Sequence, residues 1–217
     1  MSFLPGMMRG RGGVPLALTY IGSASSTTDS LTTYDFGDFT APEAGLMIVA
    51  ALGRGSSVVT SISIGGSNGT IHVNPDGPSN SSSAIASRVV GAGAQNVSVT
   101  FPGTATVRAG VFVWLLTGYL SATPNGTDSE NEPVTDGITE AVMTLDILAG
   151  GIAVYANQHV NAGTVTWSSA TERADFSIEA SQMAAADKAT QVLLTAHVET
   201  ADWTTDARRG SVAASWR

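Results

Sequence analysis

Apolar residues in this chain either alternate with polar ones or gather in short runs, and turn residues separate the runs. The longest buried-looking stretch is 106–117, TVRAGVFVWLLT, which is apolar at both parities from Val111 and carries no charge after Arg108. A continuous run this rich in β-branched and aromatic residues predicts a strand covered on both faces. A strand needs both faces covered only in the middle of a layered structure, so the chain is expected to wrap sheets around this segment.

Further strands are predicted on either side. In the first half they are 15–21, 30–36, 46–52, 58–64, 70–73, 84–90 and 96–101. The stretch 35–45 reads as a turn-rich crossing and 74–83 as a loop. The GGSNG at 65–69 is a strong hairpin signal, because Gly-Gly and Asn-Gly accept positive φ cheaply. A polar connection follows over 119–138. After it come 139–145, 151–158, 163–167, 171–175, 177–185, 190–198 and 211–216. Only 181–188 could pass for a helical turn, and its alternating neighbours favour a strand. Strands at roughly ten-residue spacing with turns between them predict an all-β sandwich or barrel.

The two halves resemble each other. AGLMIVAALGRG from Ala44 parallels AGGIAVYANQHV from Ala149, and 59–73 parallels 165–175. The runs 84–90, 96–101 and 110–115 parallel 181–188, 191–198 and 210–216. An offset near a hundred residues predicts half-units 15–118 and 139–217, joined by 119–138 and closing on each other.

Composition narrows the function classes. The chain has 217 residues, 43% hydrophobic and only 13% charged, about half the ~25% usual in soluble domains. A low-charge Ser/Thr/Ala-rich surface suits a subunit covered by neighbours. There is no cysteine, which excludes disulfides, thiolate metal sites and cysteine nucleophiles. A net charge of −8 argues against nucleic acid as a partner. No run approaches the ~20 apolar residues of a membrane helix, and no signal peptide is indicated.

Residues 1–14, MSFLPGMMRGRGGV, hold four glycines, one proline, two arginines and no acid. This leader cannot bury a face by itself. It is expected to be an extended arm lying on a partner subunit, with Phe3, Leu4, Met7 and Met8 as anchors and Arg9 and Arg11 as charge contacts.

Candidate chemistry is sparse. His72, His159 and His197 are far apart and lack the close ligand spacing of a zinc site. No G-x-S-x-G elbow, P-loop or dinucleotide fingerprint occurs, so no enzyme activity and no cofactor are predicted. Asn125, Asp128, Glu130, Glu132 and Asp136 cluster, but without a calcium-loop pattern they read as a solvated loop. Trp114 and Trp216 lie in apolar runs and are assigned to the core. Trp167 and Trp203 sit near loops and are the candidate glycan-stacking residues. Glu172 and Arg173 are expected to pair at a strand edge.

Six segments, APEAGLMIVAALGRG (41–55), QNVSVTF (95–101) leading into AGVFVWLLTG (109–118), LAGGIAVYA (148–156), VTWSSATERAD (165–175) and SVAASW (211–216), together resemble β-sandwich proteins of tailed bacteriophages. The resemblance spans about residues 19–216. It implies a jelly-roll-like antiparallel β-sandwich and a virion structural role as a head decoration, spike or fibre component. It also implies other capsid or tail subunits as partners and homo-oligomers such as trimers. The alternative it implies is a tail-fibre module binding a host surface glycan or receptor.

Overall fold

The computed structural model describes residues 15–55, 58–75, 81–103, 106, 108–132, 137–161, 163–205 and 207–217. They form an all-β structure of antiparallel sheets. The first half holds β1 (Ala17–Ser26), β2 (Thr33–Ala41), β3 (Gly45–Arg54), β4 (Ser61–Ile64), β5 (Ser67–Asn68), β6 (Thr70–Val73), β7 (Ser81–Val90), β8 (Gly93–Thr100) and β9 (Arg108–Thr117). The second holds β10 (Gly126–Glu132), β11 (Glu140–Ile147), β12 (Ile152–Val160), β13 (Thr166–Trp167), β14 (Thr171–Ile178), β15 (Ser181–Ala189), β16 (Leu194–Asp202) and β17 (Arg209–Trp216).

Four sheets stack in layers. Inner sheet 1 has the order β1-β9-β3-β7-β6, and inner sheet 2 has the order β10-β17-β12-β15-β14. Outer sheet 1, β2-β8-β4-β5, covers the first, and outer sheet 2, β11-β16-β13, covers the second. The inner sheets therefore correspond strand for strand. Runs that match in sequence occupy matching places: β3 with β12, β7 with β15 and β9 with β17.

Strand parity explains the layering. On β3, Met47, Val49 and Ala51 face outer sheet 1, while Leu46, Ile48, Ala50 and Leu52 face inner sheet 2. On β9, Val111, Val113 and Leu115 take the first side, and Phe112, Trp114 and Leu116 the second. The 106–117 run thus builds two cores at once. Each fully buried Val, Leu or Phe on it contributes roughly 1.5–3 kcal/mol. Trp114 and Trp216 are both fully buried. Gly110 and Gly210 face the contact between the inner sheets. A Cβ on Gly110 would stand 2.6 Å from Met183 Sδ, and one on Gly210 would stand 3.3 Å from Ser81 Cβ. Hydrogen there lets the two sheets close together.

Some expectations need correction. β2 runs on through Ala41, where 35–45 had read as a crossing; a bulge at Phe36 and Gly37 produced the turn-like composition. The 119–138 connection contains β10, whose polar sequence GTDSENE pairs with β17. Ser177 and Ile178 close β14 and do not open β15. Arg173 pairs with Asp187 across β14 and β15, at 2.7 and 2.8 Å, and not with Glu172.

Candidate functional site

The chain enters the described region at β1, an edge strand of inner sheet 1. Ala17 pairs with Thr117 there, and Leu120 N–H donates to the carbonyl of Arg217 at 2.8 Å. The sequence-predicted docking residues Phe3, Leu4, Met7, Met8, Arg9 and Arg11 lie outside the described residues.

The two candidate glycan stackers point inward. Trp167 is 8% exposed and packs in the core between inner sheet 2 and outer sheet 2, its ring 6.1 Å from Tyr155. Trp203 is 4% exposed and stacks on His159, with centroids 4.7 Å apart and planes 14° apart. A cavity of about 400 Å³ opens beside Trp203, lined also by Thr164, Thr166, Asp202 and Thr204. Sugar stacking needs an open ring face, and neither indole offers one. Burial holds the His159 imidazole down at about 4, so it is neutral at pH 7. Its Nδ1 lies 3.3 Å from Asn157 Oδ1.

A second cavity, about 210 Å³, lies where the connection after β9 crosses β6 and β7. His72 Nε2 is 2.7 Å from Ser87 Oγ, and the Ser87 hydroxyl also lies 3.4 Å from the Ala122 carbonyl. Burial lowers the pKa of His72. Trp216 Nε1–H donates to the same Ala122 carbonyl at 3.2 Å. The chain of bonds fastens the connection to both halves. Among the described residues no carboxylate is hydrogen-bonded to His72 to orient it as a general base.

The densest titratable cluster surrounds Glu199 on β16. Its carboxylate is buried and accepts from Ser169 N–H (2.8 Å), Ala170 N–H (3.0 Å), Ser168 Oγ–H (3.0 Å) and Ser169 Oγ–H (2.5 Å). Burial works to raise its pKa, but these hydrogen bonds outweigh that and leave it below the ordinary value. His197 Nε2 lies 3.4 Å away and Lys188 Nζ reaches Ser169 Oγ at 3.0 Å. The group has the residue types of a serine hydrolase, but it lines neither of the two cavities described above. Its geometry is that of a clamp on the turn after β13. Among the described residues no group of three or more His, Asp or Glu is placed to hold a metal.

The outer faces differ most. Outer sheet 1 turns Thr33, Asp35, Thr40, Asn96 and Ser98 outward. Outer sheet 2 turns out Val142 (41% exposed) and Val198 (51%), diagonal neighbours because Val142 pairs with Thr200 and Val198 with Thr144. Val192 and Leu193, 61% and 56% exposed, follow at its end. These valines carried no motif in the sequence. The signal was their position on the outward parity of strands that otherwise alternate.

No family model matches the chain, and no curated protein matches it. Among solved structures, it is similar to an anti-sigma factor domain-containing protein at 8% identity, covering 94% of this chain and 82% of that one, with a TM-score of 0.24. A second such protein, from Clostridium clariflavum, gives 11% identity, 90% and 88% coverage and a TM-score of 0.21. Oxalate decarboxylase from Bacillus subtilis gives 7% identity, 89% and 71% coverage and a TM-score of 0.20. Likenesses at these scores carry no argument about function.

Proposed function

We propose that the chain is a structural protein of a tailed-bacteriophage virion, a head decoration, spike or fibre component that docks through its N-terminal arm. The observation that carries this reading is the strand order. In the first half β1-β9-β3-β7 faces β2-β8-β4-β5, and the second half repeats the order with β10-β17-β12-β15 facing β11-β16-β13. On this reading each half is a jelly-roll-like sandwich, a fold used for capsid and lectin domains, and the two sandwiches share one buried face. Such a column presents two broad outer faces, and neither cavity described above gathers catalytic groups. The sequence resemblance to phage sandwiches, the low charge and the apolar leader support the same role.

In this reading the column stands on the particle surface, other virion subunits are its partners, and burial of apolar side chains at subunit contacts holds it there. The test is a particle assembled with the chain lacking residues 1–13. The truncated chain should fold, as judged by an unchanged circular dichroism spectrum and melting curve. Its copy number per particle, counted by quantitative mass spectrometry, should drop at least tenfold. Incorporation at the full-length level defeats the proposal.

A further inference from the structure

We propose that the outward face of outer sheet 2 is the receptor for the leader of a second copy of this chain, an inference that rests on the docking role above. The face has an aliphatic centre, Val142 and Val198, and its flank is acidic, with Glu140, Asp146 and Asp202 exposed. No lysine or arginine occurs in β11, β13 or β16. The leader has the complementary layout: Phe3, Leu4, Met7 and Met8 come first, then Arg9 and Arg11, with no acid among them. Apolar anchors over the valines and guanidiniums on the carboxylate rim satisfy both parts. The equivalent outer face of the first half turns Thr, Asp, Asn and Ser outward and offers no such centre.

The path favours a second copy. Residue 15 leads into β1 at an edge of inner sheet 1. Residues 3–14 extend at most about 40 Å. To bring the anchors onto its own outer sheet 2, the leader would cross two sheet spacings, about 20 Å, and then reverse over the face. A neighbour's face demands no such detour.

The chain has no cysteine, so disulfide trapping between two full-length singly substituted chains is clean. Phe3→Cys mixed with Val198→Cys under mild oxidation should give a mixed dimer at least tenfold more abundant than Phe3→Cys mixed with Thr40→Cys on the polar outer face. Val142→Lys in the receiving chain should remove the preference while its melting curve stays in place. Equal trapping by the Val198→Cys and Thr40→Cys chains overturns the proposal. So does trapping confined to a single chain carrying both Phe3→Cys and Val198→Cys, which assigns the face to the chain's own leader. If the leader is required for particle incorporation but shows no preference for this face, the docking role stands and this receptor does not.

Discussion

The two halves share a strand order, yet equivalent positions on the seam between them are filled by different chemistry. On β6, His72 is the residue bulged out opposite β7; on β14, Arg173 is bulged out opposite β15. Each reaches across to its neighbouring strand, His72 to Ser87 and Arg173 to Asp187. Each also stands by a tryptophan of the opposite half: the Trp216 ring lies 5.9 Å from His72, and Trp114 Nε1–H donates to Asp187 at 2.9 Å. One seam is closed by neutral hydrogen bonds and the other by an ion pair with a buried carboxylate. The backbone device is what the two halves hold in common, and the side chains set how strongly each seam depends on its partners and on pH.

The largest effect should come from breaking the charged seam. Asp187→Ala removes the acceptor for both Arg173 and the buried Trp114 indole, leaving a half-buried guanidinium and an orphan N–H. Breaking such a pair costs on the order of 3 kcal/mol, read as a lower urea midpoint. The equivalent change in the other seam, Ser87→Ala, removes one neutral partner and should cost about 1 kcal/mol. Equal losses for the two variants would mean that the seams are not distinguished by charge.

Acid should separate the halves next. His159 on β12 is in register with Gly53 on β3, since they pair with Arg209 and Gln182 and with Ala109 and Ser82 respectively. In the second half the imidazole stacks on Trp203. In the first, a Cβ on Gly53 would stand 2.7 Å from the Phe101 ring, so the aromatic ring fills that place itself. The unfolded imidazole takes a proton near 6.5, the folded one only at about 4. Between those values the unfolded state binds more protons, so stability is complete above 6.5 and falls as the pH drops towards 4. At its full extent the loss from His159 is roughly 3 kcal/mol. His72, also depressed by burial, adds in the same direction. His159→Phe keeps the stack and removes the proton site, so its unfolding midpoint should change much less between about pH 7 and 4. A variant with the wild-type pH slope would place the acid sensitivity elsewhere.

The same contrasts explain what could be foreseen from the sequence. The double-faced burial of β9 was legible because Val111–Leu116 is apolar at both parities, a pattern only a central strand can bury. β10 was not, because GTDSENE has no apolar face; its place is fixed by backbone pairing to β17, which leaves no periodic trace. The Gly-Asp at Gly37 and Asp38 looked like a turn since a bulge uses turn residues inside a strand. Trp167 and Trp203 lie next to loops in sequence, but strand parity and the His159 stack turn both rings inward. Proximity to a loop does not tell which way a ring points. Val142 and Val198 leave no distinguishing signal in the sequence, because single valines on strands are ordinary; only the polar outer face of the other half sets them apart.

Edges show the halves solving one problem in two ways, and this gives the smallest and most local prediction. β2 and β11 are the equivalent outermost strands of the outer sheets, each exposing a row of backbone groups open to unwanted pairing. β2 breaks its edge with the bulge at Gly37, at φ +78°, whose N–H donates to Asp35 at 2.9 Å. β11 stays regular there, and two carboxylates of β10 cover it: Asp128 accepts from Thr144 N–H and Glu130 from Val142 N–H, each at 2.6 Å. Gly22 and Ala24 stand at the matching places on β1 and have no carboxylate to offer. Asp128→Ala should therefore cost only about 1 kcal/mol in stability while freeing a backbone donor on β11. Light scattering should show concentration-dependent association of Asp128→Ala, increased by adding Glu130→Ala, which also breaks the 2.6 Å bond to Arg209. Gly37→Val in β2 strains a left-handed backbone position and should lower stability without freeing the β11 edge. If Asp128→Ala stays monodisperse at concentrations where Gly37→Val associates, the carboxylates are not the guard of that edge, and the bulge is the stronger of the two protections.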